Sequence, residues 1–409
     1  MRTLYFTSPE PLLPFAESCL QLTPKVCLFE EHLYLEISST SRLFGGEEGL
    51  VLRAQELADT FLDRYHFSLT DRPEWAQTLC RAGQTYLPPG KSPEFLRQLG
   101  VQALLLLGDP LRLAEEKPER EKCTEFLRKV GIHTLAQFLD LPVSAVNRRF
   151  GKMGQVLHDW AAGRRTLCLP VFSPQEPLRA RVAADDLHSL DSLLFRLRQI
   201  FVQFEPRLRG RNAAVKALAL LIHFDAHPPV IKKLEFTEST QDPQVLLRVL
   251  KEYLQSQNWS SPLTQLEVQV CDVLLHQPAQ LSLIDDSESK FHDLAQYVSR
   301  LRARLGETQA GFYQPLSSHL AERSFALTWP PPAPASSPAL PPRPVFLFDP
   351  PRPFRLTQHW RLSFAENLLV EWWAPGGQRE YYIARNGQES LWVYHDVSRE
   401  EWYAHGTFD

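Results

Sequence analysis

The run between residues 330 and 344 constrains the fold of this 409-residue chain more than any other feature, because eight of its fifteen residues are proline. Proline lacks the backbone N–H that helices and sheets use, and a proline-rich run adopts an extended, semi-rigid conformation. We therefore predict a linker at 330–344, although such a segment can also dock on an aromatic groove. The chain then divides into a large part before this run and a small part after it.

The small part, residues 345–409, holds 14 Phe, Trp and Tyr residues. Its short apolar runs are separated by Gly376-Gly377 and by Asn386-Gly387. Asn-Gly between apolar runs is typical of a β-hairpin. The sequence thus predicts a small antiparallel β-domain. Its aromatic density favours a partner-binding surface, with the alternative that every ring is a core residue.

Apolar periodicity predicts strands and a helix at the N-terminus, in residues 1–88. Residues 33–37 are apolar at almost every position, as in a strand of a covered sheet. Residues 50–65 carry apolar side chains at helical spacing, and residues 67–69 form a further strand candidate. This part is expected to mix helix and sheet.

Residues 89–170 are predicted to be helical. Two short helices within 127–139 flank a turn, Val130-Gly131-Ile132-His133-Thr134, and a break is expected at Phe150-Gly151. This pattern is similar to the helix-hairpin-helix of DNA repair proteins. Such a turn exposes backbone N–H groups at a helix N-terminus, which suits a phosphate and ignores base identity. An ordinary helical hairpin with a Gly cap is the alternative.

Residues 171–276 alternate between helical and strand periodicity. Two helices packed on an antiparallel sheet make a compact α+β domain. Residues 290–329 are predicted as a helix and a connector, and the fold class of the whole chain is α+β with several domains. The elements expected in this region are helices at 187–204, 243–255 and 291–305, and strands at 217–224, 231–237 and 265–273.

Charge is distributed unevenly along the chain. The net charge is −4, yet residues 148–233 hold 15 Lys and Arg against 7 Asp and Glu. A basic middle favours nucleic-acid binding, with an ordinary solvated face as the alternative. Six cysteines without a CxxC pair argue against a zinc ribbon and a disulfide-rich secreted domain. No apolar run reaches the roughly 18 residues that span a bilayer, and the start lacks a signal-peptide core. We expect a cytoplasmic protein without membrane contact.

A set of short segments follows the order of one known family. The segments are Leu22-Thr23-Pro24-Lys25-Val26, residues 33–37, Arg42-Leu43-Phe44-Gly45-Gly46-Glu47, residues 127–141, residues 347–353, Glu371-Trp372-Trp373, residues 379–385, residues 391–394 and His405-Gly406. Together they resemble the ImuB family, the catalytically degenerate relatives of Y-family lesion-bypass DNA polymerases (UmuC and DinB types) found in bacterial mutagenesis cassettes. The match runs over nearly the whole chain from about residue 20, and the chain is shorter than the family pattern at its N-terminus.

The resemblance implies a division of the chain into functional parts. These are a truncated palm at 1–88, a helix-hairpin-helix thumb at 89–170, a little finger at 171–276, a clamp-binding peptide at 277–289, a helix and connector at 290–329, the linker at 330–344 and a C-terminal protein-interaction domain at 345–409.

The same resemblance implies where metal-binding carboxylates would stand in an active enzyme. An acidic pair should lie just before the strand at 33–37, and this chain has Glu31 and His32 there. Another carboxylate belongs in an N-terminal strand, where the chain has Leu4-Tyr5-Phe6, and no Asp precedes Asp59. Two-metal nucleotidyl transfer needs oxygen ligands around Mg²⁺, and imidazole is a poor ligand for that ion. We therefore expect degenerate metal-site positions, no catalytic residues, and no metal or other cofactor.

The segment Gln280-Leu281-Ser282-Leu283-Ile284 resembles the sliding-clamp-binding pentapeptide of bacterial polymerases. Gln280 would supply a polar anchor, and Leu283 and Ile284 would enter an apolar pocket. Two buried aliphatic side chains contribute on the order of 3–6 kcal/mol before the costs of binding. Ile284 stands where Phe is usual, so we expect weaker binding. A short core strand is the alternative.

Basic residues of the thumb-like and finger-like parts are predicted to hold the DNA backbone. Such contacts give affinity without sequence preference and with strong salt dependence. Residues 207–211 precede a predicted strand, where alternate side chains share one face. The candidates are Lys129, Gly131, Thr134, Arg148, Arg149, Lys152, Arg207, Arg209, Arg211, Lys216, Lys232 and Lys233.

Three functions are weighed against one another. The first is a non-catalytic adaptor in damage-induced (SOS) mutagenesis, whose partners are damaged or primed DNA, the sliding clamp, an error-prone replicative-type polymerase and a RecA-like accessory protein. The second is an active lesion-bypass polymerase that uses carboxylates such as Glu30, Glu31 and Glu36. The third is a structural DNA-binding protein without a clamp contact. The missing Asp and the short N-terminus favour the first.

Overall fold

The computed structural model describes residues 2–183, 190–257, 262–276, 287–316, 318, 320–329, 342–368, 378–387 and 389–408, without the side chains of 287–293 and 368. The chain divides into two compact units, Met1–Lys290 and Phe291–Asp409. The boundary therefore lies upstream of the proline-rich run and not at it. None of the described helices has the length and hydrophobicity to cross a bilayer.

An antiparallel sheet with the strand order β2-β3-β1-β4 opens the large unit. Strand β1 lies in the interior of this sheet and is almost entirely buried, because its Leu4, Tyr5 and Phe6 are covered on both faces. Leu4 and Phe6 face a hydrophobic core shared with helices α1 and α2. The elements are β1 (Thr3–Thr7), α1 (Leu13–Cys19), β2 (Val26–Phe29), β3 (His32–Glu36), α2 (Glu47–Phe61) and β4 (His66–Thr70).

Helices fill the next part of the large unit. Trp75 Nε1 donates a hydrogen bond of 2.9 Å to the Trp160 carbonyl, which ties the first of these helices to the last. Gly151 has φ 59° and divides the last helix in two, so the break expected there is confirmed. The helices are α3 (Pro73–Arg81), α4 (Ser92–Gln98), α5 (Leu113–Lys129), α6 (Leu135–Leu139) and α7 (Val143–Ala161).

A second antiparallel sheet, in the order β5-β8-β6-β7, completes the large unit. Two helices pack on one of its faces, as the periodicity predicts, through buried side chains such as Phe201 and Leu250. The first helix runs through Pro206 to Gly210, beyond its expected end at 204. The elements are β5 (Arg179–Ala183), α8 (Leu190–Gly210), β6 (Ala213–Phe224), β7 (Val230–Thr240), α9 (Pro243–Ser256) and β8 (Leu263–Leu275).

The small unit is built on a five-stranded antiparallel sheet in the order β11-β15-β14-β13-β12. The segment predicted as a connector also belongs to this unit, since Ala321 packs with Tyr381 and Trp392 in its core. Helix α10 begins before the unit boundary. The elements are α10 (Ser287–Leu305), β9 (Phe312–Pro315), β10 (Phe325–Thr328), β11 (Phe346–Pro353), β12 (Arg361–Leu368), β13 (Arg379–Arg385), β14 (Ser390–Asp396) and β15 (Glu401–Thr407).

Candidate functional site

The face of the N-terminal sheet opposite its hydrophobic core carries the predicted metal-site positions. The antiparallel register pairs Tyr5 with Tyr34 and Thr7 with His32, so alternation brings all four side chains to this face. Tyr5 Oη lies 2.8 Å from His32 Nδ1, and the centroids of the two rings are 5.9 Å apart. His32, one of the two positions implied for the acidic pair, is thus in direct contact with Tyr5 of the N-terminal strand.

Helix α3 covers the Tyr5 ring of this pair. Ala76 is buried against Tyr5 and Tyr34, and Cys80 packs against the same cluster. Burial raises the pKa of the Tyr5 phenol and lowers the pKa of the His32 imidazole. Both groups are therefore neutral at pH 7, and they share one hydrogen bond. We call the contact of Tyr5, His32 and Tyr34 the palm-face cluster.

The carboxylates nearest in sequence do not converge on this cluster. Glu31 is exposed beside Glu30, which has φ 44° in the β2–β3 turn. Glu36 is ion-paired with Lys25 at 2.7 Å. Among the described residues, no group of three or more His, Cys, Asp or Glu side chains could hold a metal ion. A phenol, an imidazole and one exposed carboxylate do not form the oxygen-rich set that suits Mg²⁺.

The turn between α5 and α6 differs from the expected phosphate-binding hairpin. Gly131 has φ 82°, which requires glycine, and it joins the two helices as predicted. However, the backbone N–H groups of 130–135 all donate within the protein. Thr134 and Gln137 form a capping box that satisfies the start of α6. The expectation that this turn offers free N–H groups to a phosphate is therefore corrected.

The basic side chains around this turn are exposed. Lys129 makes an ion pair of 2.7 Å with Glu125 on its own helix. The guanidinium group of Arg149 lies 4.0 Å from the centroid of the Phe126 ring. Arg148 and Lys152 also reach solvent, on either side of the break in α7. Lys129, Arg148, Arg149 and Lys152 thus remain accessible to a ligand.

Residues 207–211 do not approach a strand as an alternating segment, since Arg207 and Arg209 lie in the last turns of α8. Arg207 and Arg211 both contact Glu17 of α1, at 2.7 Å each. Arg209 instead pairs with Glu205 on its own helix at 2.5 Å. The helix brings residues 207 and 211 to one side, as a spacing of four requires.

The lysines of the second sheet are also engaged. Lys216 Nζ donates a hydrogen bond of 2.6 Å to the Thr237 carbonyl, and burial lowers the pKa of Lys216. Lys232 is half-buried. Lys233 is exposed, and hydrogen bonds to Asp272 and Glu235, at 2.8 and 2.9 Å, raise its pKa.

Ion pairs in the folded chain therefore neutralise part of the excess positive charge counted in the sequence. Apart from Glu205 and Asp159, which pair with Arg209 and Arg164, the carboxylates that pair with it come from outside the window 148–233, and local charge counting could not detect them. On the open face of the second sheet, Arg181 pairs with Glu267 in the same way, at 2.7 Å. The compensating residues are Glu17, Glu235, Glu267 and Asp272.

The proposed clamp peptide, Gln280 to Ile284, lies outside the described residues. Sequence reasoning also missed Glu17. A carboxylate inside the apolar run Phe15-Ala16-Glu17-Ser18-Cys19 was the available signal, because a charge in a buried helix needs a partner.

Comparison with known proteins gives matches that cover most of the chain. No protein-family model matches the chain. Protein ImuB of Caulobacter vibrioides, strain NA1000 / CB15N, is 26% identical over 435 aligned positions, which cover 95% of this chain and 91% of that protein. Protein ImuB of C. vibrioides strain ATCC 19089 matches to the same extent.

Solved structures of DNA polymerases give weaker matches. DinB from Sulfolobus solfataricus is 14% identical, with 65% of this chain and 78% of that chain covered and a TM-score of 0.30. An insertion ternary complex of Dbh DNA polymerase is 13% identical, with 64% and 77% covered and a TM-score of 0.31. TM-scores of this size support no argument about individual residues. The sequence match confirms the resemblance drawn from the ordered segments, since the chain is similar to Protein ImuB over nearly its whole length.

Proposed function

We propose that this chain is a non-catalytic, polymerase-like adaptor in DNA-damage tolerance. It binds damaged or primed DNA without sequence preference, docks on the sliding clamp and brings an error-prone replicative-type polymerase, and a RecA-like accessory protein, to the lesion. The similarity to ImuB proteins supports a role in DNA-damage tolerance, and the palm-face cluster supports the absence of catalysis.

The observation that carries the proposal is the contact between Tyr5 and His32. Nucleotidyl transfer by two metal ions requires closely spaced carboxylates. In this chain that face holds two neutral rings with a hydrogen bond of 2.8 Å between them, and Tyr5 is buried against α3. A phenol and an imidazole provide one neutral oxygen and one nitrogen, which is a poor ligand set for Mg²⁺. The sheet therefore serves as a scaffold.

DNA binding is assigned first to the exposed cations of α5 and α7, which are Lys129, Arg148, Arg149 and Lys152. Each contact with a phosphate releases counterions, so the logarithm of the affinity falls with the logarithm of salt concentration, with a slope of roughly −0.9 per contact on duplex DNA. We expect a slope of magnitude about 3–4 from this set. Replacement of Arg148, Arg149 and Lys152 by Gln should reduce the slope by about 2–3 and weaken binding equally on unrelated sequences.

Protein recruitment is assigned to the aromatic face of the small unit opposite Tyr381 and Trp392. Ala384, Val393 and Ala404 form its buried centre. The rings around this centre are only partly covered, and 61% of Phe364 is exposed. An aromatic surface of this kind is typical of protein interfaces. The half-buried rings that accompany Phe364 are Phe348, Phe354, Trp360, Tyr382 and Trp402.

Three weak contacts on one chain raise one another's effective concentration, so each can stay reversible. DNA backbone, clamp pocket and partner polymerase would then be held together only where all three are present. This arrangement suits an adaptor, which must leave when synthesis past the lesion is complete.

The clamp contact is tested by titrating the purified protein with the sliding clamp of its host. The test variant carries Gln280→Ala, Leu283→Ala and Ile284→Ala, and the matched control carries Asp285→Ala, Asp286→Ala and Ser287→Ala immediately downstream. We expect micromolar binding that is lost in the test variant and retained in the control. Absence of binding by the unmodified protein would leave a DNA-binding protein without a clamp contact.

A further inference from the structure

The helix α1 carries a carboxylate that is almost completely buried. Only 2% of Glu17 is exposed. Its Oε2 accepts a hydrogen bond of 2.7 Å from Arg207 Nε, and its Oε1 accepts one of 2.7 Å from Arg211 Nη2. Each oxygen thus holds one guanidinium group, and the two arginines come from the end of α8, about 190 residues further along the chain.

The surrounding contacts bring the two backbones close together. A Cβ atom at Gly210 would lie 1.9 Å from the Glu17 carbonyl oxygen, so this position admits only glycine without a shift of α1 or α8. Gln21 Nε2 reaches the Pro206 carbonyl at 3.5 Å. Arg211 Nη1 also donates a hydrogen bond of 2.8 Å to the Glu176 carbonyl. The contact of α1 with the end of α8 is therefore specific and closely packed.

The chemistry of this contact resembles the way proteins hold a phosphodiester. Two guanidinium groups that converge on two oxygens of one anion form the charge-assisted arrangement that suits carboxylates and phosphates alike. Arg207 and Arg211 are also two of the cations expected at the DNA backbone. In the present arrangement one donor of each arginine is bound by Glu17, and the two side chains are only 14% and 17% exposed.

We propose that Glu17 is an internal competitor for DNA phosphate, which keeps Arg207 and Arg211 occupied until DNA displaces it. The end of α8 then separates from α1, and both arginines contact the backbone. The inference rests on the proposed DNA binding and adds a means of regulating it, since the affinity of the free protein is reduced by the closed contact.

The direct test is DNA binding by Glu17→Gln. Gln keeps the shape of the side chain but removes the charge, and a buried cation that loses its anion is destabilised in place. We expect the affinity for primed DNA to rise about tenfold at roughly 0.1 M salt, and the salt slope to steepen by about 1–2. The gain should vanish when Arg207→Gln and Arg211→Gln are added.

The matched control is Glu56→Gln. Glu56 makes an exposed ion pair of 2.7 Å with Arg53 on α2, so its removal changes the net charge equally without opening the contact. We expect a change of less than twofold. An equal gain in both variants would mean that net charge alone is responsible and would overturn the inference.

The outcomes separate this inference from the proposed function. If the unmodified protein binds DNA and Glu17→Gln binds no better, the competitor role is overturned and DNA binding stands. If neither protein binds DNA, both are overturned. Binding by Glu17→Gln alone would support the competitor role in its strongest form.

A second measurement uses the unmodified chain and does not depend on the variant folding. Amide hydrogen exchange in segments 13–22 and 204–212 should become faster when primed DNA is added, since DNA opens the contact. Unchanged or slower exchange in both segments, with DNA bound, would show that the contact is only structural.

Discussion

The two units each bury a tyrosine hydrogen-bonded to a histidine, yet the surroundings of the two pairs differ. In the large unit Tyr5 Oη lies 2.8 Å from His32 Nδ1, and in the small unit Tyr381 Oη lies 2.8 Å from His405 Nδ1. The first pair lies among Tyr34, Cys27 and α3. The second pair lies beside two charged side chains, Arg379 and Glu322, and forms a network with them.

The network of the small unit joins an arginine and a glutamate to the rings. Arg379 makes an ion pair of 2.8 Å with Glu322 and donates to Tyr381 Oη at 3.2 Å. Glu322 also lies 3.6 Å from His405 Nε2. Trp392 stacks on Tyr381 with ring centroids 4.0 Å apart. The same Tyr–His contact thus lies mostly among uncharged side chains in one sheet and beside a salt bridge in the other.

Loss of Arg379 should give the largest effect. Removing one partner of a buried ion pair leaves the other charge uncompensated, and Arg379→Met should destabilise the small unit by about 3–5 kcal/mol. Hydrogen exchange of β13–β15 in the full chain measures this loss, and exchange of β1 and β3 should not change. The control is Arg399→Met. The Arg399 guanidinium group is exposed and lies 3.9 Å from Asp396, whose buried carboxylate keeps hydrogen bonds from the backbone N–H groups of Ser398 and Arg399, so the loss should be less than about 1 kcal/mol. Equal losses from both variants would contradict the network.

Acid should weaken the small unit, whose core contains His405. Burial lowers the pKa of His405 from 6.5 to about 4. Burial raises the pKa of Glu322, but hydrogen bonding and the charge of Arg379 outweigh it, and the net direction is downward.

The sign of the pH effect follows from where protons bind. The unfolded chain takes up a proton at His405 as the pH falls below about 6.5, whereas the folded unit does so only near 4. Stability contributed by neutral His405, on the order of 3 kcal/mol, is therefore present above 6.5 and lost between 6.5 and 4. Protonation of Glu322 at lower pH lowers the stability of the small unit further. Unfolding of the small unit followed from pH 7 to pH 4 measures this, and His405→Gln should flatten the dependence.

Removing the phenol oxygens should distinguish the two pairs more finely. Tyr381→Phe leaves His405 Nδ1 without its hydrogen-bond partner, and because His405 is only 1% exposed we expect a loss of about 1–3 kcal/mol. Tyr5→Phe affects His32, which is only half-buried, so water can replace the phenol as partner and the loss should be about 1 kcal/mol or less. Denaturant unfolding of both variants provides the values. A larger loss from Tyr5→Phe would reverse the comparison.

Local patterns predicted many elements of the fold because those elements depend on short-range periodicity. Strand β3 and helix α9 match their expected positions closely. Helix α8 was expected to end before Pro206, a residue that usually breaks helices. It continues because Leu208 is buried and because Arg207 and Arg211 contact Glu17, far away in the sequence.

The candidate sites were less predictable, because their contacts join residues that are far apart in the sequence. Glu31 and His32 could be located by resemblance, but the contact of His32 with Tyr5 depends on the register of two strands. The basic residues were identified as a group, yet their ion pairs with Glu235 and Asp272 form only in the sheet. Likewise, Glu322 joins a core whose other members follow the proline-rich run. Each of these contacts is set by tertiary structure and has no local signal.

The central claim is that the palm-face cluster cannot support nucleotide transfer. The most direct measurement is primer extension by the purified chain on a primed template with Mg²⁺ or Mn²⁺, beside Glu31→Gln and Glu36→Gln variants. We predict no extension by any of the three proteins. Metal-dependent extension by the unmodified chain that is lost in either variant would contradict the account and establish an active polymerase that uses an unorthodox carboxylate.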